Sequence, residues 1–130
     1  MLKEIENVRQ IDGEPRRRWF HDDDFDLIVW LGPDDGMKIR DRIIGFQLCY
    51  NKSETPRALT WYARSGYAHC RVDDGESKPG KYKAAPILLQ NGPFTQNGIA
   101  GRFMDASRKI DTEIAAFVHE KIIAYTKEIA

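Results

Sequence analysis

The chain has little with which to crosslink itself and no surplus of charge to draw in a polymer of opposite sign. Cys49 and Cys70 are its two cysteines, too few for a disulfide framework and without the CxxC spacing of zinc sites. They read as reduced thiols in a reducing compartment, which makes a cytoplasmic location the expectation. Twenty basic residues are matched by twenty acidic ones, so the basic excess behind most non-specific nucleic-acid affinity is missing. Nucleic acid is disfavoured as a partner. No apolar run approaches the roughly 20 residues needed to cross a bilayer. The start, Met1-Leu2-Lys3-Glu4-Ile5-Glu6, alternates charge with apolar residues where a signal peptide needs an apolar stretch. Neither GxxxxGK[ST] nor a strand running into GxGxxG occurs, so no phosphate-cradling loop and no cofactor is implied.

What is present suits one α+β domain spanning residues 1–130. The 14 aromatic residues supply large buried area for a chain of this size. Asp12-Gly13, between Ile5 to Ile11 and Glu14 to Phe20, predicts a hairpin with a type I′ turn, whose central positions need positive φ. Pro15 pushes its second arm towards a sheet edge. Phe25 to Leu31 is almost continuously apolar and of strand length, as expected for a strand covered on both faces.

Ile43 to Tyr50 alternates, with Ile44, Phe46, Leu48 and Tyr50 on one side and Ile43, Gly45, Gln47 and Cys49 on the other. Ala58 to Tyr62 and Tyr67 to Val72 follow, joined by Ala63-Arg64-Ser65-Gly66. Asn51 to Arg57 and Asp73 to Lys83 read as polar loops, and Ala85 to Gln90 as a short strand. From Ile99 to Tyr125 apolar residues recur every three or four positions, as one helix or a short helix and a longer one, with Asp105 or Ser107 as the second N-cap. Neighbouring strands pair by default. The expected architecture is a curled antiparallel β-meander of five to six strands packed against a C-terminal helix.

Three groupings carry possible chemistry. His21-Asp22-Asp23-Asp24-Phe25-Asp26 gathers ligand types for a divalent metal, but lacks the EF-hand spacing and reads as a charged turn; no metal is assigned. Arg16-Arg17-Arg18-Trp19-Phe20 joins cations to aromatics as single-strand binders do, yet the acidic cluster beside it offers partners for those arginines. Cys49 and His69 fall on one face as a thiolate–imidazole pair would require, but an intervening strand sets their backbones about 9 to 10 Å apart, beyond direct reach.

The alternation puts Leu59, Trp61, Ala68, Cys70 and Val72 on a face for the helix to cover. It leaves Gln47, Thr60, Tyr62, Tyr67, His69 and Arg71 on the other. Tyrosine and arginine are frequent anchors at interfaces. The leading expectation is therefore a binding or interaction module using this polar-aromatic face for a small ligand, a peptide, a protein or, in a homodimer, a second copy. The rival is a small metal-assisted enzyme built from His21, His69 and some of Asp22, Asp23, Asp24, Asp73 and Asp74, which requires at least three of them to converge.

Overall fold

A computed structural model describes residues 1–52, 56–72, 84–86 and 98–129. The expected loop from Asp73 to Lys83, most of the strand expected to end at Gln90, and Asp73 and Asp74 lie outside these residues. The elements are β1 (Lys3–Glu4), β2 (Arg16–His21), β3 (Asp26–Leu31), α1 (Ile39–Arg42), β4 (Ile43–Tyr50), β5 (Arg57–Tyr62), β6 (Gly66–Val72), β7 (Ala84–Pro86), α2 (Ile99–Ala106) and α3 (Thr112–Ile129). All the strands form one antiparallel sheet in chain order. This is the expected meander, with the C-terminal helices on one face.

The inner face is apolar because every second residue of the central strands is. Phe20, Leu27, Val29, Phe46, Leu48 and Leu59 are fully buried, together with Ile99 and Phe103 of α2 and Ile114, Val118 and Ile122 of α3. Trp61 carries the layer to the helix, its ring edge-on to Phe117 at 5.3 Å and capped by the Lys121 ammonium at 4.4 Å. β3 is covered on both faces as expected, since Leu27, Ile28 and Val29 are all buried.

Several local expectations are corrected. The first hairpin keeps its turn, with the Glu14 amide donating to the Ile11 carbonyl and Gly13 at φ +82°. Asp12 is not at positive φ, so the turn is not type I′. The expected first arm, Ile5 to Ile11, is not a strand: the residues that pair with β2 are Lys3 and Glu4, and beyond them the Ile5 amide donates to the Trp19 carbonyl at 2.7 Å. Further along, the Gln10 side chain replaces a strand, its amide accepting from the Arg17 N–H and donating to the Arg17 carbonyl, both at 2.9 Å.

A register shift between Trp30 and Leu31 pairs Leu31 with Ile43. This bulge buries Ile43 and exposes Ile44, the reverse of simple alternation. The C-terminal segment is two helices, and the second is capped by neither Asp105 nor Ser107. Asp111 Oδ1 accepts the Glu113 N–H at 2.9 Å and lies 3.4 Å from the Ile114 nitrogen. Helix α1 follows no periodicity and was not anticipated.

Candidate functional site

The decisive local feature is the β5–β6 turn. Tyr62 pairs with Gly66, not with Tyr67, so the loop is three residues, Ala63 to Ser65. The Ser65 amide donates to the Tyr62 carbonyl at 3.2 Å and Gly66 takes φ +81°. A three-residue hairpin loop closes this way, by a turn followed by a left-handed residue that only glycine adopts without strain.

One residue of register moves every β6 side chain to the opposite face. Leu59 therefore pairs with His69, Trp61 with Tyr67 and Arg57 with Arg71. Ala68 and Cys70 fall on the outer face with Thr60 and Ala58. The six residues expected to share a polar face are divided. Gln47, Thr60 and Tyr62 are on the outer face, Tyr67 and His69 on the inner one, and Arg71 holds the register position opposite Arg57. Cys49 and His69 consequently lie on opposite faces, which removes the thiolate–imidazole arrangement. Cys49 and Cys70 share the outer face across Ala58, also contrary to expectation, and they form no disulfide with each other.

On the inner face this register builds a polar-aromatic cluster at the end of the sheet where β4 finishes and β5 begins. The Tyr50 hydroxyl and His69 Nε2 are hydrogen-bonded, with their rings stacked at 5.9 Å. Tyr125 of α3 packs its ring edge against His69 at 5.8 Å and lies 5.0 Å from the Tyr67 ring. The Tyr67 hydroxyl donates to the Lys121 carbonyl at 2.8 Å, tying sheet to helix. Arg57 is the register partner of Tyr50. Its Nε is buried and finds no hydrogen-bond partner among the described residues, nor does any described carboxylate form a salt bridge with it. Arg102 of α2 sits on the Tyr50 side too, but is held by Asp24 and by Asn51 Oδ1 at 3.3 Å.

This environment sets the protonation states. His69 is 5% exposed, and desolvation, followed by the positive field of Arg57, lowers its pKa to about 4. Burial raises the Tyr50 pKa, opposed by Arg57. At neutral pH the pair is an uncharged imidazole bonded to an uncharged phenol. Such a pair orients and donates or accepts hydrogen bonds; it is poorly tuned for proton transfer, which favours a pKa near the working pH.

The acidic turn is built differently. Asp22 Oδ1 accepts from the Asp24 and Phe25 amides at 2.8 and 2.7 Å, while Asp22 Oδ2 lies 3.4 Å from the terminal ammonium. Lys52 reaches the Asp22 carbonyl at 2.6 Å and Asp26 at 3.2 Å, and Asp24 pairs with Arg102. Asp22, Asp24 and Asp26 are thus engaged in closing the turn and pairing with cations. Among the described residues no three His, Cys, Asp or Glu side chains are placed to hold a metal ion. The arginine run does not pair with this cluster: Arg18 binds Glu4 at 2.6 and 2.8 Å and Asp111 at 3.4 Å, and Arg17 binds the Arg9 carbonyl.

Tyr50, Arg57 and Tyr125 escaped sequence reasoning as site residues because each satisfies a simpler pattern. Two complete apolar stripes, and Arg57 closes a polar loop. The glycine at the end of Ala63-Arg64-Ser65-Gly66 was the available signal, since a left-handed closing residue implies the shorter loop. No described helix is long and apolar enough to cross a membrane. Comparisons with protein-family models, curated proteins and solved structures found no match to this chain.

Proposed function

We propose that this protein is a non-catalytic binding module whose ligand engages the inner polar-aromatic cluster of Tyr50, Arg57, Tyr67, His69 and Tyr125. The reading keeps the expected use of a polar-aromatic sheet face but moves it to the helix-covered side. The observation that carries it is Arg57, a guanidinium with a buried Nε and no described carboxylate to pair with. Burying polar and charged groups between sheet and helix costs stability that a hydrocarbon layer would not. Clusters of that kind, with perturbed pKa values, concentrate at functional sites.

A metal-assisted enzyme has less support. His21 is exposed at the end of β2, whereas His69 is buried against α3. The aspartates between Asp22 and Asp26 that the structure shows bonded are engaged with backbone amides, Lys52, Arg102 and the terminal ammonium.

The test is amide and side-chain NMR of the isotope-labelled protein titrated with a set of small aromatic probes, charged and neutral. Binding at the cluster shifts Tyr50, Arg57, His69 and Tyr125 together. If no probe shifts them, or the shifts gather on Gln47, Thr60 and Tyr62 of the outer face, the assignment of the site is wrong.

A further inference from the structure

A cleft of about 710 Å³ opens at the end of the sheet where β2 and β4 begin and β3 finishes, opposite to the end that holds the inner cluster. Glu14 and Arg16 line it from the β2 side, Arg42 and Ile44 from the β4 side, and Gly32 and Asp34 lie between them. The bulge that pairs Leu31 with Ile43 shapes it. By burying Ile43 it turns Ile44 outward, leaving that side chain 38% exposed at the cleft; bulges recur beside functional sites because they re-aim side chains in this way. The β4 side is also fixed in place. The Gly32 amide donates to the Arg42 carbonyl at 2.7 Å, and Arg42 Nε and Nη2 both donate to the Gly32 carbonyl at 3.3 Å. The guanidinium is thereby oriented while its other N–H groups keep no partner among the described residues.

The charges around the cleft are balanced and unpaired. Glu14, Arg16, Asp34 and Arg42 enter no salt bridge with a described residue. Two inter-strand spacings, about 10 Å, separate the backbones of its two sides. A simple anion entering here meets carboxylates as well as guanidiniums, and a simple cation meets the reverse. A ligand that carries both signs can use both sets, since complementary placement of charge selects a partner. The volume lies in the range of sites for drug-sized molecules, about 300–1,000 Å³. Ile44, Pro15 and Pro33 supply apolar surface beside the charges.

We infer that this cleft binds short peptides with free termini and apolar side chains. The terminal carboxylate pairs with Arg16 and Arg42, the terminal ammonium with Glu14 and Asp34, and the side chains lie against Ile44 and the two prolines. The site is separate from the inner cluster and does not depend on the binding role proposed for it.

The experiment uses the full isotope-labelled chain and four forms of one dipeptide: leucyl-leucine, its amide, its N-acetyl derivative and the N-acetyl amide. Each is titrated at constant ionic strength and followed by NMR. Leucyl-leucine should shift Glu14, Arg16, Gly32, Asp34, Arg42 and Ile44 together. It should bind about fivefold more tightly than either singly blocked form, which corresponds to about 1 kcal/mol for an exposed ion pair. Arg16→Gln with Arg42→Gln should remove the advantage of a free carboxylate, so that leucyl-leucine matches its amide. Glu14→Gln with Asp34→Asn should remove that of a free ammonium, so that leucyl-leucine matches its N-acetyl form.

The inference is overturned if no form shifts the cleft, if all four bind alike, or if either double variant leaves the order of affinities unchanged. Leucine binding as tightly as leucyl-leucine would also overturn it, by making the ligand an amino acid. The comparison among the four forms is made on the parent protein, so it stands even if a variant folds poorly. These probes carry no aromatic ring, and the cleft lies at the far end of the sheet from Tyr50, Arg57 and His69. Their failure would leave the inner-cluster reading to its own titration, and shifts confined to that cluster would support that reading while sinking this one.

Discussion

Replacing His69 with glutamine should abolish a specific acid weakness of this protein. In the folded chain the imidazole is buried beneath Tyr50 and Tyr125, near Arg57, and its pKa falls to about 4. In the unfolded chain it returns to about 6.5. Above that value the group is neutral in both states and has no influence on the equilibrium. Between about 6.5 and 4 the unfolded chain binds a proton that the folded chain refuses, so stability falls as the pH falls. At about 1.4 kcal/mol per pH unit, the loss reaches about 2 kcal/mol at pH 5 and levels off near 3 kcal/mol below pH 4.

Tyr50, hydrogen-bonded to His69, has its pKa raised by burial, away from this window. Exposed carboxylates and the other histidines contribute equally to parent and variant and cancel in the difference. The assay is urea unfolding of the parent and of His69→Gln at several pH values from 7.5 to 4.5. Glutamine keeps a hydrogen-bonding group for Tyr50 without gaining a charge. The gap between the two proteins should close or reverse by about 2 kcal/mol between pH 7 and pH 5. Parallel curves across that range would show that His69 protonates as readily in the folded state as in the unfolded one, and would refute the account of its environment.

Gly45→Ala should destabilise by about 1 to 3 kcal/mol through overpacking. A Cβ there would stand 2.5 Å from Tyr62 Cδ1 and 2.9 Å from the Trp61 carbonyl oxygen. Thermal melting should show part of the loss recovered by adding Tyr62→Ala, which removes only the first clash. Asp111→Ala should cost about 1 kcal/mol through the lost helix cap, with Asp111→Asn costing less because it can still accept from the Glu113 amide; equal losses in urea unfolding would point to the Arg18 contact instead. Trp61→Ala should cost about 3 kcal/mol, the lower end for a large aromatic, because the ring is partly exposed. An unchanged denaturation midpoint would contradict its place between Phe46, Phe117 and Lys121. Magnesium, calcium, manganese and zinc should give no selective rise in melting temperature. A specific site at one hundred times its dissociation constant would add about 2.7 kcal/mol, and such a rise lost in His21→Ala with Asp23→Asn would restore the metal reading.

The class and connectivity of this fold were legible along the chain because they rest on local periodicity. The unbroken apolar run from Phe25 to Leu31, the alternation in Ile43 to Tyr50, the turn residues between strands and the spacing from Ile99 to Tyr125 are short-range signals, and short-range pairing of strands made the meander. The acidic run could likewise be read as a turn, because aspartate bonds readily to nearby backbone amides, as Asp22 does.

Which side chains meet was decided by tertiary structure. A strand has period two, so one residue of difference in the β5–β6 loop exchanges its faces, and that difference lies in whether Gly66 closes the turn or begins the strand. The same holds at Ile43 and Ile44, where a bulge reverses the pattern. Tyr50, Arg57, His69 and Tyr125 are drawn from three strands and a helix. Their proximity depends on register summed across the sheet and on where α3 crosses it. No periodicity within one segment encodes that sum, and so the candidate site emerged only once the sheet was folded against its helix.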